Sequence, residues 1–593
     1  MKRVFFSTML VLLACSHGGA QGPHNFSVNA PSESGLELRL SPWLASQPPL
    51  GFVPVLVTAV NHTGSHGSWS LGSSTGLFNG VVSNSGLRLE VKDGSTASTT
   101  FLATAGFVME ERSRSWKSLN FTAAGPHIKY PNAGNLNGCQ IEPRYSASYV
   151  ALGMNAQKPF DWVSRSIDQA TARSANGVPG SKVSVEFTPS DWRGLTGLTG
   201  YWMSESEWRA LRGPQKSAIL DWVALGGQVV VALPEGGDVA AVLKQTMPAS
   251  STTEGQVQVG LGGVTAMVVK DSLPEGNSRS ELLEPQNRHS VMNLLEDYGT
   301  STWKARDMVP VPQMQMTLMV LFMVVFAVLV GPVNLFVFAG PTRRHRLFWT
   351  TPLLSVAGSL VLLLIMFFSD GTGGSGVRLS VGVMVPELDR VIVRQEQICR
   401  TGVLLASAFP VAEPSMMTQL VLKRSRNSVF DTEEHLMLHE DATQRSGDWF
   451  RSRSVQAHAL QTVRASRGEV RFRASGETPS VVSSLEVPLS RVWVVDEKGD
   501  TWIASDVGPG ERKNLQKSAT PFAQLVWSER ALPPLAGPLL KDALAEVQRL
   551  KAGYVIAEVE RAAVSRLAVA TLDSIQWNED HAFIVGPYVV EEL

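Results

Sequence analysis

The chain has 593 residues, a length that suits three or four domains of roughly 150 residues each. Its 52 basic and 53 acidic residues give a formal net charge of -1, which excludes the strongly basic character typical of nucleic-acid-binding proteins. Charged residues make up only 18% of the chain, below the roughly 25% of an average soluble domain. The composition therefore indicates a folded protein in which at least one segment is depleted of charge.

The first twenty residues have the layout of a secretory signal peptide, which we assign to residues 1–20. Basic residues precede an apolar run from Val4 to Ala14, and small residues follow. The stretch Leu12–Cys15 also resembles a bacterial lipobox, although its second residue is a leucine instead of a smaller side chain. Two processing routes stay open, lipidation of Cys15 or ordinary cleavage after Ala20, and both export the residues that follow.

Residues 27–140 predict an immunoglobulin-like β-sandwich. Short apolar segments such as Val53–Val60 and Leu87–Val91 alternate with turns rich in glycine, asparagine and serine. Strands at this spacing are typical of two packed antiparallel sheets. The GxSxG nucleophile pattern at Gly72–Gly76 lies inside this strand-rich region. Because that motif needs a strand before it and a helix after it, we assign it no catalytic role.

Residues 145–300 change to alternating strands and helices, which predicts a mostly parallel sheet covered by helices. Apolar runs predict strands at Tyr149–Met154, Lys182–Phe187 and Gln228–Leu233. Helical spacing of apolar residues predicts a helix at Asp161–Ala172. Ser204 and Glu207 form a capping-box pattern that predicts the start of a helix running to Arg212.

Two charge-free runs, residues 314–338 and 347–368, are each long enough to span a bilayer as a helix. The loop Arg343–Arg346 between them concentrates positive charge, and such loops face the cytoplasm. An exported N-terminal region then crosses the membrane inward once and outward again. Both large soluble regions, including a second β-rich domain over residues 376–593, are predicted on the periplasmic side of the bacterial inner membrane.

The α/β region also resembles a known family. Asp191–Leu195 (DWRGL), Gln215–Leu225 (QKSAILDWVAL) and Gly226–Pro234 (GGQVVVALP) are similar to the class I glutamine-amidotransferase-like, flavodoxin-like domain of uncharacterised bacterial membrane proteins. In those relatives the domain precedes a membrane segment with Gly-Pro and a basic turn, as at Gly331-Pro332 here. The resemblance covers residues 145–370 and implies an architecture; the family has no assigned reaction.

A glutaminase needs an activated cysteine on a strand-to-helix turn, and the turn Pro234–Asp238 carries neither cysteine nor serine. We therefore predict a catalytically empty copy of the fold, with no catalytic residue and no cofactor. Glu235 and Asp238 are the candidates for ligand binding, because open α/β sheets bind ligands at the carboxyl ends of their strands. Solvated loop carboxylates are the alternative interpretation of this pair.

Histidines and cysteines give no clear metal or disulfide framework. His435 and His439 are four residues apart but alternate with leucines, as in a strand with one face exposed to solvent, so no metal site is predicted. Cys139 and Cys399 would share the oxidising side of the membrane. The sequence leaves open whether they form a disulfide or remain two buried thiols.

Together these patterns predict a multidomain α+β membrane protein with a β-sandwich, a flavodoxin-like domain, two transmembrane helices and a C-terminal β-rich domain. We expect a non-enzymatic envelope protein that acts as a scaffold or accessory subunit of a membrane complex. Its expected partners are the membrane and other envelope proteins, with no nucleic acid. The alternative is a ligand sensor or hydrolytic enzyme that uses the strand-end crevice near Glu235 and Asp238.

Overall fold

The computed structural model describes residues 26–27, 34–76, 82–105, 118–137, 149–171, 178–246, 255–271, 298, 303–309, 316–338, 344–420, 436–474, 478–519, 535–548 and 553–591. The chain is multidomain, with many β-strands, several helices and two long apolar helices. It divides into two compact units, Met1–Ser290 with Glu433–His435, and Val291–Thr432 with Leu436–Leu593.

The first unit begins with two groups of antiparallel strands around one core. The strands are β1 (Phe26–Ser27), β2 (Leu36–Pro42), β3 (Phe52–Asn61), β4 (Gly67–Gly76), β5 (Val82–Val91), β6 (Ser95–Thr104), β7 (Ser118–Ala124) and β8 (Asn132–Asn137). They pair in the orders β1-β2-β3-β6 and β5-β4-β7-β8. Alternate residues of each strand point inward, so Leu38, Val55, Trp69 and Phe121 meet in one core.

A mostly parallel sheet follows in the same unit. Its strands are β9 (Val150–Gly153), β10 (Gly180–Val183), β11 (Gly200–Ser204), β12 (Gln228–Leu233), β13 (Gln256–Val259) and β14 (Gly262–Val268), and its helices are α1 (Asp161–Thr171), α2 (Glu205–Ala210), α3 (Gly213–Ala224) and α4 (Val239–Thr246). The strand order is β10-β9-β11-β12-β14-β13, and only the pairing of β13 with β14 is antiparallel. All six residues of β12 are buried, as expected for a strand covered on both faces.

The local predictions for this sheet hold in part. The capping box is present, since Ser204 accepts from the Glu207 backbone and Glu207 accepts from the Ser204 backbone. The predicted strand Lys182–Phe187 is wrong beyond Val183, because its partner β9 ends at Gly153 and the chain turns there into a 3-10 helix, Val185–Phe187. The helix that follows Ser204 ends at Ala210, two residues before the predicted end.

The N-terminal strands and the parallel sheet are joined by specific contacts within the first unit. Trp43 donates from Nε1 to the Ser184 carbonyl at 3.1 Å, and its ring packs edge-on against Tyr201. The Ala45 backbone N–H donates to the side-chain Oγ of Ser181 on β10 at 2.9 Å. The two regions therefore share a tightly packed boundary.

The second unit contains two apolar helices, each long and apolar enough to cross a membrane. The first, α5 (Met316–Val328), continues as a π-helix over Leu329–Phe338, and the second, α6, is Leu347–Asp370. A uniform α-helix over 314–338 was the expectation, but Pro332 has no N–H and its ring clashes with the preceding turn, which favours a wider winding. Asn334 is buried between the helices.

The same unit contains a nine-stranded sheet. Its strands are β15 (Gly374–Val385), β16 (Arg390–Thr401), β18 (Ser415–Leu420), β21 (Val455–Ala465), β24 (Leu489–Val495), β25 (Thr501–Val507), β27 (Gln516–Lys517), β28 (Tyr554–Val559) and β29 (Ile575–Pro587). The order is β18-β21-β16-β15-β29-β28-β24-β25-β27. Helix α7 (Pro538–Gln548) packs on β16, and the short α8 (Val564–Leu567) packs on β29.

Smaller strand groups complete the second unit. Strands β17 (Phe409–Pro410), β19 (Met437–Glu440) and β20 (Gln444–Gly447) pair in the order β17-β20-β19. Strands β22 (Val470–Arg473), β23 (Ser480–Ser483), β26 (Arg512–Asn514) and β30 (Val589–Val590) pair in the order β26-β23-β22-β30. His439 lies in β19, as the alternation with leucine predicts, and His435 lies outside the described residues.

Candidate functional site

The strand order of the parallel sheet locates its crevice. The chain leaves β9 for β10 on one side and returns to β11 on the other side, so the order reverses between β9 and β11. In open α/β sheets, ligands bind outside the carboxyl ends of the strands at this reversal. The crevice therefore lies beside the residues at the ends of these two strands, Gly153 and Ser204.

The Glu207 side chain fills this crevice. Its Oε1 accepts from the Asn155 backbone N–H at 2.8 Å, just beyond β9. Its Oε2 accepts from the backbone N–H and the hydroxyl of Ser204, both at 2.9 Å, at the end of β11. A Cβ built on Gly153 would collide with the carboxylate. The absence of a side chain at Gly153 therefore leaves room for the Glu207 carboxylate. The chain's own carboxylate thus takes the backbone donors that an anionic ligand would use.

The two predicted ligand-binding residues lie at the end of the neighbouring strand β12. Glu235 forms a 3.4 Å ion pair with Lys270, and both side chains are largely exposed. Asp238 Oδ1 accepts from the Ala241 backbone N–H at 3.0 Å, in the first turn of α4. An exposed ion pair contributes little to stability, and the second contact is an ordinary helix cap.

Cysteines offer no assembled site among the described residues. Cys15 and Cys139 lie outside them, so lipidation and the pairing of Cys139 stay predictions. Cys399 is fully buried on β16, and burial raises the pKa of its thiol to about 12, which keeps it protonated and unreactive. No group of three metal-ligating side chains occurs in the described part of the chain.

A second buried cluster surrounds Glu396, which sequence reasoning missed. Glu396 lies in the middle of β16 and is 1% exposed. Its carboxylate accepts from the Tyr298 hydroxyl, from the Gly537 N–H, and from the Leu540 N–H at 3.0 Å. Burial raises the pKa of Glu396 to about 7, although these hydrogen bonds oppose the rise. The carboxylate therefore joins the start of α7 to the sheet and to Tyr298.

Neighbouring contacts strengthen this attachment. Arg394, two residues earlier on β16, forms a 2.6 Å ion pair with Asp542 on α7. Trp303 donates from Nε1 to the Leu535 carbonyl at 2.7 Å, and its ring packs edge-on against Tyr298. Tyr298 and Trp303 precede α5 in the chain. The segment that leads into the first apolar helix is thus fastened to the nine-stranded sheet.

The exit from the second apolar helix is fastened to the same sheet. Residues 371–373 connect α6 to β15. The Val403 N–H donates to the Gly371 carbonyl at 2.9 Å, and the Gly402 N–H donates to the Gly373 carbonyl at 2.7 Å. Gly371 and Gly373 have positive φ angles of 71° and 78°, a backbone region that glycine enters without strain. The chain upstream of α5 and the chain that leaves α6 are therefore both held by one folded domain.

Comparisons with known proteins add no family. No family model matches the chain, and no curated protein matches it. Among solved structures, a calcium-binding mutant of Bacteroides uniformis beta-glucuronidase 2 is similar over 45% of this chain and 26% of its own, at 10% identity and a TM-score of 0.12. The match spans about a quarter of that protein's length. A likeness this low carries no argument about the fold or activity of this chain.

Proposed function

We propose that the chain is a non-enzymatic, membrane-anchored envelope protein that acts as a scaffold or accessory subunit of a membrane complex. The observation that carries the proposal is the attachment to one domain of the chain on both sides of the apolar helical pair, through Tyr298 and Glu396 upstream of α5 and through Gly371 and Val403 after α6. Such an attachment keeps a large folded surface at a fixed place beside the membrane.

The character of the helices supports a membrane hairpin. Their outward residues are large and apolar, including Leu321, Phe336, Leu353 and Leu364. The turn Arg344–Arg346 between them is basic and exposed, and short basic loops stay in the cytoplasm. We therefore propose that α5 and α6 span the bacterial inner membrane and that both large soluble regions lie on the periplasmic side.

We further propose that the first unit combines an immunoglobulin-like sandwich with a flavodoxin-like domain used for binding. The strand order with its reversal between β9 and β11 supports the second assignment. Glu207 supports a role without chemistry, because its carboxylate occupies the backbone donors at that reversal. The competing role, a ligand sensor or hydrolase at Glu235 and Asp238, has no comparable observation in its favour.

Crosslinking in native membranes, followed by mass spectrometry of proteins that co-purify with the full chain, tests this proposal. Trp222 on α3 is 3% exposed, so Trp222→Ala should destabilise its domain by about 3 to 5 kcal/mol and reduce partner recovery. Glu235→Gln is the control, since an exposed change of this kind shifts stability by less than about 0.5 kcal/mol.

The opposite pattern would overturn the proposal. If Glu235→Gln and Asp238→Asn abolished function in cells while protein level and partner recovery stayed normal, those carboxylates would act in catalysis or ligand binding. The strand-end role would then replace the scaffold role.

A further inference from the structure

The loop between β16 and β17 lies directly beside the end of the second apolar helix. Helix α6 ends where the Gly371 N–H donates to the Phe367 carbonyl at 3.0 Å. The same Gly371 accepts at its carbonyl from Val403, and the Gly373 N–H donates back to the Val403 carbonyl at 3.2 Å. Residue 403 is therefore at the level at which the chain leaves α6.

The loop is held firmly on its other side as well. The Leu404 N–H donates to Ser452 Oγ at 3.0 Å, and the Arg453 N–H donates to the Gly402 carbonyl at 2.9 Å. With its base fixed in this way, the loop presents Leu405 at its tip. Leu405 is 88% exposed, more than any large apolar residue on the outward faces of α5 and α6 in the described part of the chain.

A single exposed leucine is ordinary on a protein surface, so its position is what makes Leu405 informative. Three residues separate α6 from β15, and a chain of that length reaches about 10 Å. This end of the sheet must therefore stay beside the bilayer that α6 spans. Arg453, in the facing loop, is exposed at the same end, and arginine is attracted to anionic lipid headgroups.

We propose that residues 402–407 form a membrane-docking tip, with Leu405 inserted into the interfacial region of the bilayer that α6 crosses. The inference rests on the proposed membrane hairpin, because it takes the end of α6 as the level of the membrane surface. The partner is the lipid itself: an apolar side chain enters the acyl boundary while the charged neighbour remains among the headgroups. The tip would fix the height and tilt of the sheet above the membrane.

Site-specific fluorescence in proteoliposomes tests the tip. Single cysteines at Leu405, Val356 and Glu387 are introduced into the full chain with Cys15 and Cys139 changed to serine, and each is labelled with the environment-sensitive dye NBD. Buried Cys399 is retained because it is inaccessible to the dye. Vesicles contain anionic phospholipid together with two nitroxide-labelled phospholipids, one with the quencher near the headgroup end of its acyl chain and one with the quencher near the middle of the bilayer, so that a dye at either depth can be quenched.

The three positions give distinct expectations. Val356 on the outward face of α6 reports the membrane span itself. Glu387 is exposed at the far end of the 12-residue strand β15, about 40 Å from the tip. We expect NBD at Leu405 to be blue-shifted and quenched, like NBD at Val356, whereas NBD at Glu387 keeps the emission of a dye in water.

Two results would contradict the inference, and they can be distinguished. Quenching at Val356 with a water-like, unquenched signal at Leu405 would refute the docking tip while leaving the hairpin intact. An unquenched Val356 would refute the membrane hairpin, and the tip with it. Because Leu405 contributes little to the core, its cysteine variant should fold, which normal protease resistance of the purified chain would verify.

Discussion

Glu207 Oε1 accepts a hydrogen bond from the Asn155 backbone N–H at 2.8 Å, across the point where the order of the parallel strands reverses. The contact places a side chain of the protein where open α/β sheets otherwise bind a ligand. It also gives Glu207 two tasks, since the same carboxylate completes the capping box of α2.

Glu207→Ala should lower the free energy of unfolding of its domain by about 1 to 2 kcal/mol, because the partly buried N–H donors of Asn155 and Ser204 lose their acceptor. Denaturant titration of the purified chain, monitored by pulse proteolysis, measures the loss. Glu235→Ala, at the next strand end, is the matched control and should change stability by less than about 0.5 kcal/mol. Equal, small effects of both variants would mean that water or a ligand replaces Glu207 at no cost.

From the burial of Glu396 we predict that the free energy of unfolding depends on pH. Its pKa rises from 4.5 to about 7 on burial, so the folded state binds a proton more tightly than the unfolded state. This contribution to stability is fully present below pH 4.5 and is lost as pH rises through about 7. The decline amounts to about 3 kcal/mol, since each pKa unit corresponds to roughly 1.4 kcal/mol.

Glu396→Gln is the variant that isolates this effect. The glutamine side chain does not ionise. The free energy of unfolding of the C-terminal domain should therefore change between pH 5 and 8 by about 3 kcal/mol less in this variant than in the unmodified chain. Tyr298→Phe removes the hydroxyl that donates to Glu396 and accepts from the Leu539 N–H, but it leaves Glu396 titratable, so it should retain a pH dependence. Thermal unfolding in detergent across this range supplies the measurement. If the stability of Glu396→Gln changed with pH as steeply as that of the unmodified chain, groups other than Glu396 would cause the dependence.

Asn334 forms hydrogen bonds between the two apolar helices. Its Nδ2 donates to Thr351 Oγ1 at 2.9 Å, and its Oδ1 accepts from Thr350 Oγ1 at 2.6 Å. Asn334→Leu should weaken the helical pair by about 1 kcal/mol, the scale of interhelical hydrogen bonds in membranes. The midpoint of SDS-induced unfolding in mixed micelles should fall accordingly. Val337→Leu, on the outward face, should leave the midpoint unchanged, and a similar fall in both variants would contradict the assignment.

Local patterns in the sequence predicted elements whose periodicity is strong. Helix α1 and strand β12 lie where apolar spacing placed them, and Ser204 with Glu207 caps α2 as the pattern indicated. These features depend on residues close together in the chain, so short-range propensity suffices for them. The winding change before Pro332 was missed, because a long apolar run looks the same whether it is α- or π-helical.

The candidate sites depend on pairings that no local pattern contains. Glu207 was recognised as a cap, but its place in the crevice follows from β9 lying beside β11, across 50 residues of sequence. Glu235 and Asp238 were chosen from a strand end that proved to be the neighbour of the crevice. Glu396 lies in a run of polar residues, Arg394–Gln397. Such a run is typical of an exposed segment, and only the packing of α7 and Tyr298 over Glu396 makes its burial evident.

Accessibility to a membrane-impermeant thiol reagent tests most directly the proposed membrane hairpin with both soluble regions on the periplasmic side. Single cysteines replace Lys92 in the first unit, Glu387 in the C-terminal domain and His345 in the basic turn, all exposed in the structure. In intact cells with a permeabilised outer membrane, we predict labelling at 92 and 387 and protection at 345, with 345 becoming reactive only after lysis. Labelling at 345 with protection at 92 or 387 in intact cells would contradict the account.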